Sequence, residues 1–231
     1  MNFFDNLIDE IKSGVSALNQ KNYPFNNCVE WKDLGRNEVI MLRDSAFELD
    51  GVGFNLVTSS EIGEDSVTVI GKDMKELKED TAFARISFIQ IDDVDDEQKA
   101  YDLIRKIEYA KYHFFPEGYM MRTTSRSNKE NVRVSKDALK SGLDFETIGS
   151  MMIKKYKENP CVKSVKVFFV TDEKADFKFF DEIAKKNYEI TQTLNHIMNN
   201  VKFDCDSCNL KPICDEVEGM KELHFKNAGK M

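Results

Sequence analysis

Three cysteines, Cys205, Cys208 and Cys214, fall within ten positions of one another in the pattern Cys-x2-Cys-x5-Cys. The x2 spacing lets two thiolates point at one centre, and the third returns after a short loop. Thiolates suit iron–sulfur clusters or zinc, so the expected occupant is a four-iron cluster, with zinc as the alternative. Three reduced structural cysteines are the plainer reading. In auxiliary four-iron patterns a fourth cysteine follows after three intervening residues, and that place here is Glu218. A fourth ligand must then come from elsewhere or be exchangeable. Cys28 is the first candidate, with Cys161 and His224 behind it.

A second set is basic. Arg122, Arg126, Lys129 and Arg133 lie in and around a polar loop between two predicted strands. Guanidinium groups take phosphates bidentately, although an ordinary solvated loop explains the same residues. Gly51-x-Gly53 lacks the third glycine and following helix of a dinucleotide fingerprint and reads as a turn. His113, His196 and Trp31 read as packing or surface residues. The three histidines are scattered, with no nucleophile–base pair visible.

The 231 residues are enough for one large or two small domains without disulfide staples. Forty-one acidic residues against 33 basic ones leave a formal charge of −8, spread along the chain. This disfavours broad binding to nucleic acid, which needs a basic face. An odd number of cysteines, five, with three of them clustered points to metal before disulfides. No run reaches the roughly 18 apolar residues of a membrane span, and residues 1–20 carry Asp5, Asp9 and Glu10, unlike a signal peptide. The expected location is the cytoplasm, with neither membrane nor nucleic acid as partner.

Elements must position these residues. Phe4, Leu7, Ile8, Ile11 and Val15 repeat at helical spacing, predicting an amphipathic helix over residues 2–20. Residues 21–37 read as a connector. Short β-rich runs follow at 39–42, 46–49, 54–58, 66–70 and 82–91, punctuated by Gly51, Gly53, Gly63 and Gly71. A helix over 96–115 stops at Pro116. Strands at 119–124 and 131–134 flank the basic loop, and Ser135 is a plausible N-cap for a short helix over 136–140. A helix over 144–159, a strand of central type over 162–171 and a long helix over 177–201 complete the pattern. It is that of an α+β fold, a mixed sheet with flanking helices, an N-terminal helix and a Cys-rich helical tail.

The blocks Glu117-Gly118, residues 132–138, Lys140, Gly142 and Gly149, then residues 163–173, resemble in order the middle domain of acetyl-CoA synthase, the nickel–iron–sulfur subunit of the carbon monoxide dehydrogenase/acetyl-CoA synthase system. Residues 44–49 and 67–73 resemble the strands that open that domain. The likeness covers residues 38–186. It implies three segments: an N-terminal helix and connector (1–37), the acetyl-CoA synthase-like domain (38–186), and the helix end with its metal-binding tail (187–231). It also implies a coenzyme A surface at Arg122, Arg126 and Arg133. The family's tryptophan after the Glu-Gly pair is replaced by Met120, and the Cys-Gly-Cys chelate of the family's outer nickel does not occur in this sequence.

Two functions follow. One is a small, free-standing accessory protein of anaerobic one-carbon metabolism, holding an iron–sulfur cluster and coenzyme A without the complete nickel site. Its partners would be a carbon monoxide dehydrogenase/acetyl-CoA synthase-like or corrinoid protein system. The other is a metal-stabilised interaction module without acyl chemistry. Whether the chain is an enzyme stays open.

Overall fold

The structure is a computed structural model describing residues 2–42, 44–94, 96–199, 208–217 and 219–228. Seven strands form one mixed sheet: β1 (Gln20–Pro24), β2 (Ser45–Thr58), β3 (Ser66–Ile70), β4 (Thr81–Ile91), β5 (Tyr119–Thr123), β6 (Lys129–Ser135) and β7 (Val162–Val170), in the order β1-β3-β7-β4-β2-β6-β5. The pairs β3–β7 and β2–β4 are parallel; the other four are antiparallel. Among the described residues are helices α1 (Asp5–Val15), α2 (Glu97–Ala110), α3 (Lys136–Lys140), α4 (Phe145–Lys157), α5 (Phe177–Met198), α6 (Lys211–Glu216) and α7 (Met220–Ala228). The α+β class holds, and the predicted runs 82–91 and 162–171 become β4 and β7, neighbours in the middle of the sheet.

Local chemistry accounts for most boundaries. Asp96, Ser135, Asp144 and Asp176 each accept backbone N–H groups at the starts of α2, α3, α4 and α5, which satisfies donors that a helix start leaves open. Asn159 and Pro160 end the α4 region, and α1 buries Leu7, Ile8, Ile11 and Val15 as one stripe.

The two faces of the sheet are covered by different helices. Phe145 of α4 stacks on Phe83 and Phe169, with ring centroids 6.1 and 4.6 Å apart. Gly149 lets α4 approach Val67, where a Cβ would come within 2.5 Å of the valine methyl. The opposite face carries α1 and α5, which meet at Gly14 and Phe179. There Thr58 donates to Asp5 at 2.6 Å. Buried apolar residues from both faces and from α6 and α7 join one connected cluster.

Three expectations change. Part of the supposed connector is β1, a polar edge strand that pairs with β3 from Gln20↔Ile70 to Pro24↔Ser66. Its side chains are half-buried or exposed, so no apolar alternation announces it. Residues 39–42 are not a strand, and Val39 is 72% exposed. The runs 46–49 and 54–58 are one 14-residue strand, β2, and Gly51-x-Gly53 lies inside it instead of forming a turn.

Candidate functional site

Those two glycines sit beneath a fully buried charge pair. Arg85 of β4 is aligned with Gly53, and Glu130 of β6 with Gly51, so a bare stretch of β2 separates the two charged side chains. They close over it. Arg85 Nη2 lies 3.0 Å from Glu130 Oε2, and Arg85 Nε donates to the same carboxylate at 3.0 Å. Both side chains are fully buried. A Cβ on Gly53 would stand 1.7 Å from Glu130 Oε2, which is why the strand carries glycine there. Arg85 Nη1 also donates to Asn55 at 3.2 Å and Ser87 at 3.0 Å, and Asn55 Oδ1 accepts from Tyr156 at 2.8 Å. Burial opposes the charge on Arg85, but Glu130 together with Tyr156 and Tyr119 outweighs it and holds the guanidinium more firmly protonated than usual. Burial pushes the neighbouring Tyr119 and Tyr156 hydroxyls up, away from ionisation. This is a fully buried charge pair inside a core, although Arg85 Nη2, Asn55 Nδ2 and the Tyr119 hydroxyl are buried there without a hydrogen bond.

The sequence-predicted arginines are not one cluster. Arg133 on β6 pairs with Met120 on β5 and Glu48 on β2, and Arg122 pairs with Asn131. These residues share the sheet face opposite Arg85. Glu48 Oε2 stands 3.4 Å from Arg133 Nε and its other oxygen accepts from Asn131. One carboxylate therefore already occupies the charge of Arg133, while Arg122 is exposed. Arg126 belongs elsewhere: it sits at the mouth of a cleft of about 420 Å³ between α2, α5 and the turn at 124–128. Asn128 holds that turn, with φ of 49° and a hydrogen bond from Nδ2 to Ala184 O at 3.1 Å.

Cys208 lies just before α6 and Cys214 within it, both half-buried; Cys205 lies outside the described residues, as does Glu218. Helix α6 packs on α5 and α7, and His224 is on α7. Cys28 is on the other side of the sheet: the segment around it touches α4, through Asn26 N to Ser150 Oγ at 3.3 Å and Lys154 Nζ to Val29 O at 3.0 Å. Cys161 is in the turn before β7, where its carbonyl accepts from Asp92 N at 3.0 Å. Among the described residues no three His, Cys, Asp or Glu side chains gather closely enough to hold a metal ion. The donor chemistry of the triad, three thiols within ten positions of sequence, fits a thiolate-bound centre.

Sequence reasoning missed both the buried pair and the α2–α5 cleft, and each left a signal. Arg85 is the single charged residue of β4, opposite a Gly-x-Gly. Tyr101, Arg105 and Tyr109 repeat every four residues on α2, as Asn187, Thr191 and Asn195 do on α5, which places each set on one helix face.

Comparison with known proteins agrees with the acetyl-CoA synthase resemblance. Residues 36–175 match the family described as CO dehydrogenase/acetyl-CoA synthase complex beta subunit. The chain is 27% identical over 213 residues to acetyl-CoA decarbonylase/synthase complex subunit beta 1 of Methanocaldococcus jannaschii, covering 88% of this chain and 28% of that protein. Subunit beta 2 of the same organism is 29% identical over 162 residues, covering 68% of this chain and 34% of the relative. The carbon monoxide dehydrogenase/acetyl-CoA synthase subunit alpha of Moorella thermoacetica is 30% identical over 149 residues, covering 64% and 19%. The chain thus spans a third or less of the length of most of these relatives. No helix among the described residues is long and apolar enough to cross a membrane. Since one family accounts for residues 36–175, more than half of the 231, and that span holds β2 to β7, the chain belongs to the CO dehydrogenase/acetyl-CoA synthase complex beta subunit family.

Proposed function

We propose that the chain is an acetyl-CoA synthase-like accessory component of a carbon monoxide dehydrogenase/acetyl-CoA synthase system, working in the cytoplasm beside that complex or a corrinoid protein. Residues 38–186 act as its family domain, residues 1–37 brace it, and residues 187–231 carry a metal centre on Cys205, Cys208 and Cys214. The observation that carries this reading is the family match across β2–β7, with a Cys-x2-Cys-x5-Cys triad downstream of it in the sequence. The favoured centre is a four-iron cluster, which when bound supplies electron transfer or a structural pin. His224 shares the α5–α6–α7 side with Cys208 and Cys214, whereas Cys28 sits beyond the sheet, so this placement favours His224 as the fourth ligand. Arg122, Arg126 and Arg133 attract the phosphates of coenzyme A. The Cys-Gly-Cys that chelates the outer nickel in the resembled family does not occur in these 231 residues.

Anaerobic purification with iron, sulfide, nickel and zinc analysis tests the reading. Iron and sulfide are expected, with charge-transfer absorption that bleaches when any of the three cysteines becomes serine. Hydrogen exchange should then rise in α6 and α7 while residues 38–186 stay protected, because a metal centre contributes folding energy only where its ligands are. Reconstitution with iron and sulfide that yields no cluster removes the iron–sulfur version. The alternative is a zinc-pinned interaction module, favoured by the packing of α6 between α5 and α7; tight stoichiometric zinc would select it.

A further inference from the structure

The cleft between α2 and α5 contains polar groups that the protein itself leaves unmatched. Asn187 is 4% exposed and lines the cleft, and among the described residues its side-chain amide has no hydrogen-bond partner. Glu108 lines the same cleft. One of its carboxylate oxygens lies 2.7 Å from the buried Lys111 Nζ, and the other is buried without a hydrogen bond. The cleft is thus lined by an amide that both donates and accepts and by a carboxylate that only accepts.

The walls add two further chemistries. Tyr109 is largely exposed and, with Tyr188, offers flat ring surface at the opening. Arg105 and Arg126 line the same cleft and are exposed; Arg105 lies 5.8 Å from the Tyr101 ring centroid, as a cation over its face. Neither arginine has an acidic partner among the described ion pairs, unlike Arg133 with Glu48. A volume of about 420 Å³ lies within the range of small-molecule sites.

A heteroaromatic ring with N–H donors and ring-nitrogen acceptors satisfies Asn187 and Glu108 together, stacks on tyrosine, and carries its negative charge toward the arginines. We propose that this cleft is a purine-nucleotide site, in which Asn187 and Glu108 read the edge of the base, tyrosine rings cover its face, and Arg105 and Arg126 hold the phosphates. Asn pairs well with the donor–acceptor edge of adenine, and guanidinium groups match phosphate in a planar fork. The site shares Arg126 with the coenzyme A reading above but uses neither the β6 face nor any cysteine. The nucleotide arrives either free or as the end of a larger carrier.

Calorimetry and amide NMR on the full chain test this with ADP, GDP, 3′,5′-ADP, coenzyme A, CDP and pyrophosphate. Saturable binding of a purine nucleotide is expected below about 1 mM, tighter than CDP or pyrophosphate, with shifts at the Asn187 side-chain NH2. Arg105→Gln with Arg126→Gln should weaken it at least about tenfold without lowering the unfolding midpoint, since both are exposed. Asn187→Leu should weaken it too; if that variant does not fold, the arginine pair still decides. Coenzyme A tighter than ADP identifies the carrier-bound source, and equal affinity the free nucleotide. Pyrophosphate binding as tightly as every nucleotide, no saturation by any purine nucleotide near about 5 mM, or full binding by the double arginine variant overturns the proposal. Cys205→Ser with Cys208→Ser and Cys214→Ser must leave nucleotide binding intact, which separates this outcome from failure of the metal-centre reading.

Discussion

Two arginine–glutamate pairs flank the same strand, β2, on opposite faces of the sheet. Arg85 and Glu130 reach across it from β4 and β6 and are fully buried, whereas Arg133 and Glu48 are direct neighbours on β6 and β2 and keep about a quarter of each side chain in solvent. The chemistry is the same and the energetics are not. A buried pair has left water behind on both sides, so each charge depends wholly on its partner. An exposed pair keeps water as a substitute partner. What divides the two is Gly51-x-Gly53, which clears β2 only on the Arg85 face.

The strongest way to break the comparison is to refill that clearing. Gly53→Ala places a Cβ 1.7 Å from the Glu130 carboxylate and 2.9 Å from Arg85 Nη2. We expect a loss above about 3 kcal/mol, or no folded protein at all, read from urea unfolding. Glu130→Ala leaves Arg85 charged and unpaired in the core and should cost about 3–5 kcal/mol. Arg85→Met combined with Glu130→Leu removes both charges and should recover most of that loss. If the double variant is as unstable as Glu130→Ala alone, the cost lies in packing and not in the orphaned charge.

The exposed pair sharpens the contrast from the other side. Glu48→Gln should change stability by about 0.2–1 kcal/mol, measured by the same unfolding curves. It also uncovers Arg133 and Asn131, so any anion affinity of the β6 face should rise in this variant. A loss comparable with Glu130→Ala would show that solvent does not substitute at this face.

Legibility followed burial in the same way. Strands with apolar faces, β3, β4 and β7, helix α1 with its apolar stripe, and helices with an acidic or hydroxyl cap, α2 to α5, stand in the sequence within a few residues of their positions. Strand β1 does not, because an edge strand with Lys21 and Asn22 facing solvent has a partner but no pattern. Gly51-x-Gly53 reads as a turn because the residues that explain it, Arg85 and Glu130, are 32 or more positions away in the chain. The three arginines share a short stretch of sequence, but strand pairing sends Arg133 to Glu48 and the turn sends Arg126 to α2 and α5. The family resemblance, carried by ordered blocks across β2–β7, was legible; the meeting of α2 with α5 was not, since each helix face makes sense only opposite the other.

The smallest expected effect concerns the 3-10 turn Met74–Glu76, where burial is partial and two carboxylates are driven in opposite directions. Asp73 accepts from Met74 N at 2.6 Å and Phe145 N at 3.1 Å, and Glu76 accepts from Asp73 N at 2.8 Å and Lys21 at 3.2 Å. Burial pushes the Asp73 carboxyl up, more than the two backbone donors pull it down. The Asp73 N–H, followed by Lys21, holds Glu76 below its usual range. A raised acid takes its proton more readily in the folded state, so the contribution of Asp73 grows as pH falls through its raised value and is complete below its ordinary value. A lowered acid does the reverse: Glu76 contributes fully above its ordinary value and loses that contribution as pH falls through the lowered one. The two windows lie on either side of the ordinary carboxylate range, at about pH 4. Asp73→Asn keeps a capping oxygen but cannot titrate. Wild type should therefore gain stability relative to this variant as pH is lowered from 7 towards about 4, by less than about 1 kcal/mol. Glu76→Gln should lose ground to wild type above that range and draw level below it. Urea midpoints at a series of pH values read both, and an Asp73→Asn difference that shrinks on acidification would reverse the sign assigned to burial at this turn.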